Sequence, residues 1–306
     1  MNAKDEPRIA SRWFRGTGLA LLIGSLVLGA AALSSSGAGI QSAPSPSHVQ
    51  RIALDRTLPQ APARARGKLP TASGLRRAWA YARERGGVVS IAVVDTAGRL
   101  RGRHEGRRYV SASVVKSMLL AAELDRLADQ GLGLDPSTEQ TLRAMITYSD
   151  NAAADSIYYR VGDAGLYRVA RAAGMQRFVV SGYWANAQIT AADMARLFAR
   201  LGPVMAGPER EFALGLLGSV IPEQSWGVPD AAGERWAVRF KGGWRETELG
   251  SLVHQAAELR RDGRSLAIAV LTDGQPSQPY AIRTVRGVAR RLLAGDEPSR
   301  SSAGPA

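Results

Sequence analysis

Strand-like runs stand at both ends of this chain's body, and the stretch between them reads as helix. Near the start, "VVSIAVVD" (88–95) and "LRGRHEG" (100–106) are apolar or alternating segments joined by a turn at "TAGR". Near the end come "RWAVRFKGG" (235–243), "GSLVHQAAEL" (250–259) and "SLAIAVLTD" (265–273). A lone two-stranded hairpin is marginal in water. The two ends are therefore expected to combine into one antiparallel sheet of about five strands. Helices at 74–85 and about 279–294 would cover that sheet. The intervening helices, 113–130, about 137–148, about 151–161 and 191–202, would form an all-helical lobe over about 110–215. The fold class that follows is α+β, an antiparallel sheet flanked by the N- and C-terminal helices.

The body spans 71–295. Ahead of it, Arg8, Arg12 and Arg15 precede the uncharged stretch "GTGLALLIGSLVLGAAAL" (16–33), with an A-x-A-like signal at Ala30 and Ala32. A basic flank followed by an apolar run reads either as a cleaved signal peptide (1–33) or as a retained membrane anchor. Both place the body outside the cytoplasm. Residues 34–70, with "SAPSPS" and "LPQAPARARGKLP", are a Ser/Pro/Ala linker, and 296–306 is a polar tail.

The chain has no cysteine, which excludes disulfides, thiolate metal sites and a cysteine nucleophile. Its formal charge of +13 is spread without a run of five basic residues, so nucleic acid is not an expected partner. His48, His104 and His254 show no metal spacing, and neither a metal nor a cofactor is expected. Of 40 basic residues only Lys4, Lys68, Lys116 and Lys241 are lysines. Arginine serves nearly everywhere a cation suffices. Lysine differs in that it can lose its proton when desolvated or crowded by positive charge. Lys116 and Lys241, both well inside the body, therefore need a specific reason.

Lys116 stands in the first turn of "SASVVKSMLL" (111–120), where the helix macrodipole disfavours a cation. Ser113 lies one turn before it on the same face. Taken singly, "SVVK" (113–116), "SDN" (149–151) and "KGG" (241–243) each have an ordinary explanation. Ser113 could be a helix cap, "SDN" could start the next helix, and Lys241 could precede a glycine turn.

The three motifs in this order resemble those of the serine β-lactamase and penicillin-binding protein superfamily, in its class A β-lactamase-like form. "YVSASVVKSMLLAAEL" looks like the nucleophile helix, "AMITYSDNAAADSI" like the second motif, "ITAADMARLF" like the helix after the Ω-loop and "VRFKGGW" like the third motif. The resemblance implies roles. Ser113 would be the nucleophile and Lys116 its base. Ser149 would relay a proton to the leaving nitrogen, and Lys241 would hold the Ser149 hydroxyl. Asn151 would bind the substrate's acyl amide, and Gly243 would admit the backbone. The N–H groups of Ser113 and Trp244 would form the oxyanion hole. Asp150 would be structural. The partner would be a small-molecule β-lactam or a peptidoglycan peptide.

Two departures stand out. Gly242 occupies the place of the family's carboxylate-binding hydroxyl. No Glu lies between Asn151 and Thr190; the only acids there are Asp155 and Asp163, neither well placed to activate a water, and the Ω-loop shortens to about 179–188. Asn186 is a candidate for positioning a water, Tyr183, Trp184 and Trp244 for lining the cleft, and Glu246 and Glu248 for its rim. The expected protein is a serine hydrolase that acylates and then deacylates slowly. The alternatives are a β-lactamase with another deacylation route, or a non-catalytic cell-envelope binding module.

Overall fold

A computed structural model describes residues 69–205 and 207–294; the leader, nearly all of the linker and the tail lie outside the described residues. Among those residues no helix is long and apolar enough to cross a membrane.

Along the chain come α1 (Ala72–Arg83), β1 (Val88–Val94), β2 (Leu100–Arg103) and the three-residue β3 (Arg108–Val110). A 3-10 turn, Ala112–Val115, runs straight into α2 (Lys116–Asp129). The lobe continues with α3 (Pro136–Thr147), α4 (Asn151–Ala173), β4 (Gln188–Thr190), α5 (Ala191–Ala199), α6 (Leu201–Val204) and α7 (Arg210–Leu217). The chain returns through α8 (Val228–Ala232) to β5 (Ala237–Thr247), β6 (Gly250–Arg261), β7 (Arg264–Gln275) and α9 (Gln278–Leu293).

The main sheet has the order β2-β1-β7-β6-β5, antiparallel throughout. β7, from the end of the chain, pairs with β1 from its beginning, so both ends do share one sheet. Side chains alternate across it. Ile91, Val93, Ile268 and Val270 pack with Leu75, Val285, Val288 and Leu292 of α1 and α9. Ala92, Ala267, Ala269 and Leu271 join the second core, in the helical lobe. α2 is the axis of that lobe, buried on all sides from Lys116 to Leu124. A helix so enclosed must neutralise its charges internally. Glu123 does so by accepting from Arg126 Nε at 2.8 Å and pairing with Arg160 at 3.3 Å.

Several features differ from the sequence reading, which ran α5 and α6 together as one helix over 191–202 and did not place α7 or α8. α4 does not stop at 161. Gly162 adopts φ 59° and breaks the helix, which then resumes to Ala173 because Leu166, Val169, Ala170 and Ala173 continue its buried stripe. The β3–β4 ribbon, Arg108–Val110 against Gln188–Thr190, is too short to leave a periodic signal. β2 ends at Arg103, because His104 turns the chain at φ 50°.

Candidate active site

Four segments converge where β5 forms the edge of the sheet: the 3-10 turn before α2, the α3–α4 connection, residues 183–187, and β5 itself. Ser113 lies inside the turn. Tethers on either side fix that turn. The Ser111 N–H donates to the Ala187 carbonyl at 2.7 Å, and its hydroxyl to the Trp184 carbonyl at 3.2 Å. Val110 O lies 3.0 Å from Nε2 of the buried His254, whose Nδ1 accepts from the Thr272 N–H at 3.2 Å. Burial pushes the His254 pKa down to about 4, against the opposing pull of the Val110 carbonyl, and keeps the ring neutral. Ala112 is held at φ 47°, a left-handed conformation costly for a residue with a Cβ. Neither helix start at this turn has a side-chain cap, so Ser113 does not serve as one.

The α3–α4 connection resolves the two readings of "SDN" by dividing the residues. Asp150 is the N-cap of α4, its carboxylate accepting from the Ala153 N–H at 2.7 Å. Ser149, strained at φ 60°, and Asn151 turn the other way, toward the lysines. Lys116 Nζ lies 2.5 Å from the Ser149 carbonyl, 2.7 Å from Asn151 Oδ1 and 3.4 Å from Ser149 Oγ. Lys241 Nζ donates to the same Ser149 Oγ at 3.0 Å and to the Gly242 carbonyl at 3.2 Å. One hydroxyl thus joins two lysines that have no exposed surface.

Among the described residues no carboxylate holds either lysine, and burial pushes both toward the neutral amine. Lys116 falls to about 8, with the charges of Asp150 and Asp155 opposing the drop. Lys241 falls to about 7, helped by the positive charge of Lys116. An ammonium at Lys116 can satisfy all three oxygens. A neutral amine donates to the nearer two and keeps a lone pair free.

β5 approaches the turn through Gly243. A Cβ at that position would lie 2.8 Å from the Ser113 nitrogen and 2.7 Å from that of Val114, so only glycine lets the strand edge come this close. Trp244 follows, half-buried, its ring 5.9 Å from that of Trp226.

Residues 183–187 carry no acid. Trp184 is buried with its ring face 4.9 Å from Lys116 Nζ, a cation–π distance. Its Nε1 donates to Asp155 at 2.7 Å, so Asp155 anchors the indole. Asp163 is engaged by the Tyr158 hydroxyl and by the Gly182 N–H. Asn186 accepts from Arg245 Nη1 at 3.2 Å, and Glu246 from the Ser251 hydroxyl at 2.6 Å. Tyr183 is exposed. Sequence reasoning weighed His254 only as a metal ligand and passed over Trp226 and Gln255, all three outside any motif; their only signal was a polar or aromatic residue in the segments flanking the "KGG" strand.

A five-stranded antiparallel sheet, a lobe built mainly of helices and this junction of a Ser-x-x-Lys turn, an "SDN" connection and a "KGG" edge strand define the class A β-lactamase fold of the serine β-lactamase superfamily. The β-lactamase from Sphaerobacter thermophilus superposes with a TM-score of 0.63 at 20% identity, covering 73% of this chain and 97% of that one. The class A β-lactamase from Mycobacterium abscessus gives 0.61 at 17% identity, over 72% and 98% of the two chains. A β lactamase from Burkholderia vietnamiensis gives 0.63 at 21%, over 73% and 96%. No curated protein matches the sequence. The model of the beta-lactamase enzyme family matches residues 128–295, more than half the chain, and the protein belongs to that family. It is accordingly a hydrolase of β-lactamase type. The matched region includes the second and third motifs and begins after Ser113 and Lys116.

Proposed function

We propose that the protein is an extracytoplasmic serine hydrolase that forms an acyl-enzyme on Ser113 with a β-lactam or a peptidoglycan-like amide and releases it slowly. The observation that carries this reading is the pair of buried lysines sharing the Ser149 hydroxyl beside the Ser113 turn. In the first step Ser113 Oγ bonds to the carbonyl carbon and its proton passes to the neutral amine of Lys116. The developing oxyanion is met by the N–H groups of Ser113 and Trp244, which the closeness of Gly243 to the turn favours. As the C–N bond breaks, the leaving nitrogen takes the Ser149 proton, and Lys116 returns its own proton to Ser149. Lys241 steadies that hydroxyl, and Asn151 is close enough to Lys116 to orient both it and an acyl amide.

Slow release follows from what borders Lys116 on its other side. Hydrolysis of the ester needs a water and a base to activate it. The indole of Trp184 covers the lysine there, and Asp155, the acid bonded to that indole, is spent on holding it. The basic and then apolar leader at 8–33 supports a place outside the cytoplasm, by cleaved signal or retained anchor.

A second reading, a β-lactamase with a different deacylation route, draws on the same Asp155, a carboxylate that would have to exchange Trp184 for a water. Labelling with a fluorescent penicillin tests the acyl-enzyme itself. The intact protein should label and Ser113→Ala should not; equal labelling of the two would sink the reading.

A further inference from the structure

Trp226 belongs to none of the three motifs, yet the fold fixes it beside them. It lies in the short segment between the 3-10 turn Pro222–Gln224 and α8. Gln255, fully buried on β6, grips that segment on both sides of Gly227. Its Nε2 donates to the Trp226 carbonyl at 2.7 Å, and its Oε1 accepts from the Val228 N–H at 2.6 Å. Gly227 turns the chain at φ 79°, and a Cβ there would sit 2.5 Å from Gln255 Oε1.

The grip sets the indole of Trp226 against β5. A Cβ added to Gly242 would lie 3.3 Å from the edge of that ring. Because side chains alternate along a strand, Trp244 emerges on the same face as Gly242, and the two indoles meet edge to face at 70°. Gly242 adjoins Lys241, which holds the Ser149 hydroxyl on the side of the leaving nitrogen. The strand therefore offers indoles here, and its own residue at this point has no side chain. The amine of Lys241 is buried and already committed to Ser149 and to the Gly242 carbonyl. A carboxylate placed against these rings would give up water for apolar ring surface.

We propose that Trp226 is a specificity-determining residue: with Trp244 it forms an indole wall beside Lys241 that takes an uncharged apolar or planar group of the substrate, on the leaving-nitrogen side, and disfavours a carboxylate there. Gln255 is its positioning residue. The inference rests on the acyl-enzyme reading and names the substrate class for the same site.

The test uses benzylpenicillin and its methyl ester, in which a small methyl group caps the carboxylate and removes its charge, and measures equilibrium binding to Ser113→Ala protein, which cannot be acylated. The ester should bind about fivefold more tightly than the acid, the scale of one aromatic contact. Adding Trp226→Ala should bring the ratio to near one, and Gln255→Leu should lower it. Trp226→Phe, which keeps an aromatic wall, should preserve it, and this guards against a misfolded alanine variant. Acid binding as tightly as ester, a ratio that survives Trp226→Ala, or no saturable binding of either probe would overturn the wall. Acylation of the intact protein, followed in parallel, judges the acyl-enzyme reading separately: no adduct with either probe removes that reading, while the binding ratio still decides the wall.

Discussion

The amine of Lys116 faces two unlike neighbourhoods. On the α4 side three oxygens from Ser149 and Asn151 lie within 3.4 Å, and a second lysine reaches the same hydroxyl. On the side of residues 183–187 it meets the face of an indole. The first neighbourhood can accept, hold and pass a proton. The second can exclude water and do little else. We read the contrast as a division between two half-reactions: the site is furnished for making an acyl-enzyme and poorly furnished for hydrolysing one.

The largest effects should come from breaking the proton-handling side. Ser113→Ala should abolish covalent labelling, and Lys116→Ala should slow acylation by about a thousandfold, as for loss of a general base. Lys116→Arg should be no better, because a guanidinium keeps its proton. Stopped-flow or gel-based labelling rates check all three; an arginine variant at native speed would show that charge alone is needed. Next in size, Gly243→Val should cost about a hundredfold in acylation, since its Cβ would press within 2.8 Å of the Ser113 and Val114 nitrogens and displace the strand edge. A valine variant that folds, by circular dichroism, and labels normally would break the case for close approach.

A smaller change, of several tens of fold, should appear with pH. Below about 7 both lysines hold protons and no amine is free to take one from Ser113; the free amine appears as pH rises through the values of about 7 and about 8 for Lys241 and Lys116. Acylation should therefore rise between roughly pH 6 and pH 8.5. The same shifts act on stability. Both folded values lie below the ordinary 10.5, so the unfolded chain holds more protons between about 7 and 10.5, and stability should grow as pH rises across that window. A flat rate profile would argue against a lysine base. The smallest effect concerns the indole side. Trp184→Ala should open room for water beside Lys116 and speed deacylation severalfold, while Trp184→Phe, which keeps a ring there, should leave it slow. Acyl-enzyme lifetimes that do not distinguish the two variants would remove the indole from the explanation.

Much of this was legible in the chain. Alternation and apolar runs placed the sheet and most helices, and the scarcity of lysine in an arginine-rich sequence singled out Lys116 and Lys241. Their meeting on one hydroxyl is a long-range event, 92 residues apart for Ser149 and Lys241, and only the ordered motifs hinted at it. The dual character of "SDN" resolved in three dimensions, with Asp150 capping α4 while its neighbours turn inward. The environment of Lys116 was legible in kind but not in cause: helix-end electrostatics suggested a lowered pKa, and enclosure of α2 in the lobe is the main reason for it. Trp184 over Lys116 and Trp226 over Gly242 could not be read at all. Each depends on where a loop lands, and a lone tryptophan in a loop has no periodicity to betray its partner.

The most direct test of the central claim is intact mass of the protein over time after mixing with benzylpenicillin. The proposed chemistry predicts a gain of one whole penicillin on most molecules, lost in Ser113→Ala and persisting long after free drug is removed. Rapid consumption of penicillin with no accumulating adduct would contradict the slow release, and an unchanged mass with penicillin intact would contradict the acyl-enzyme.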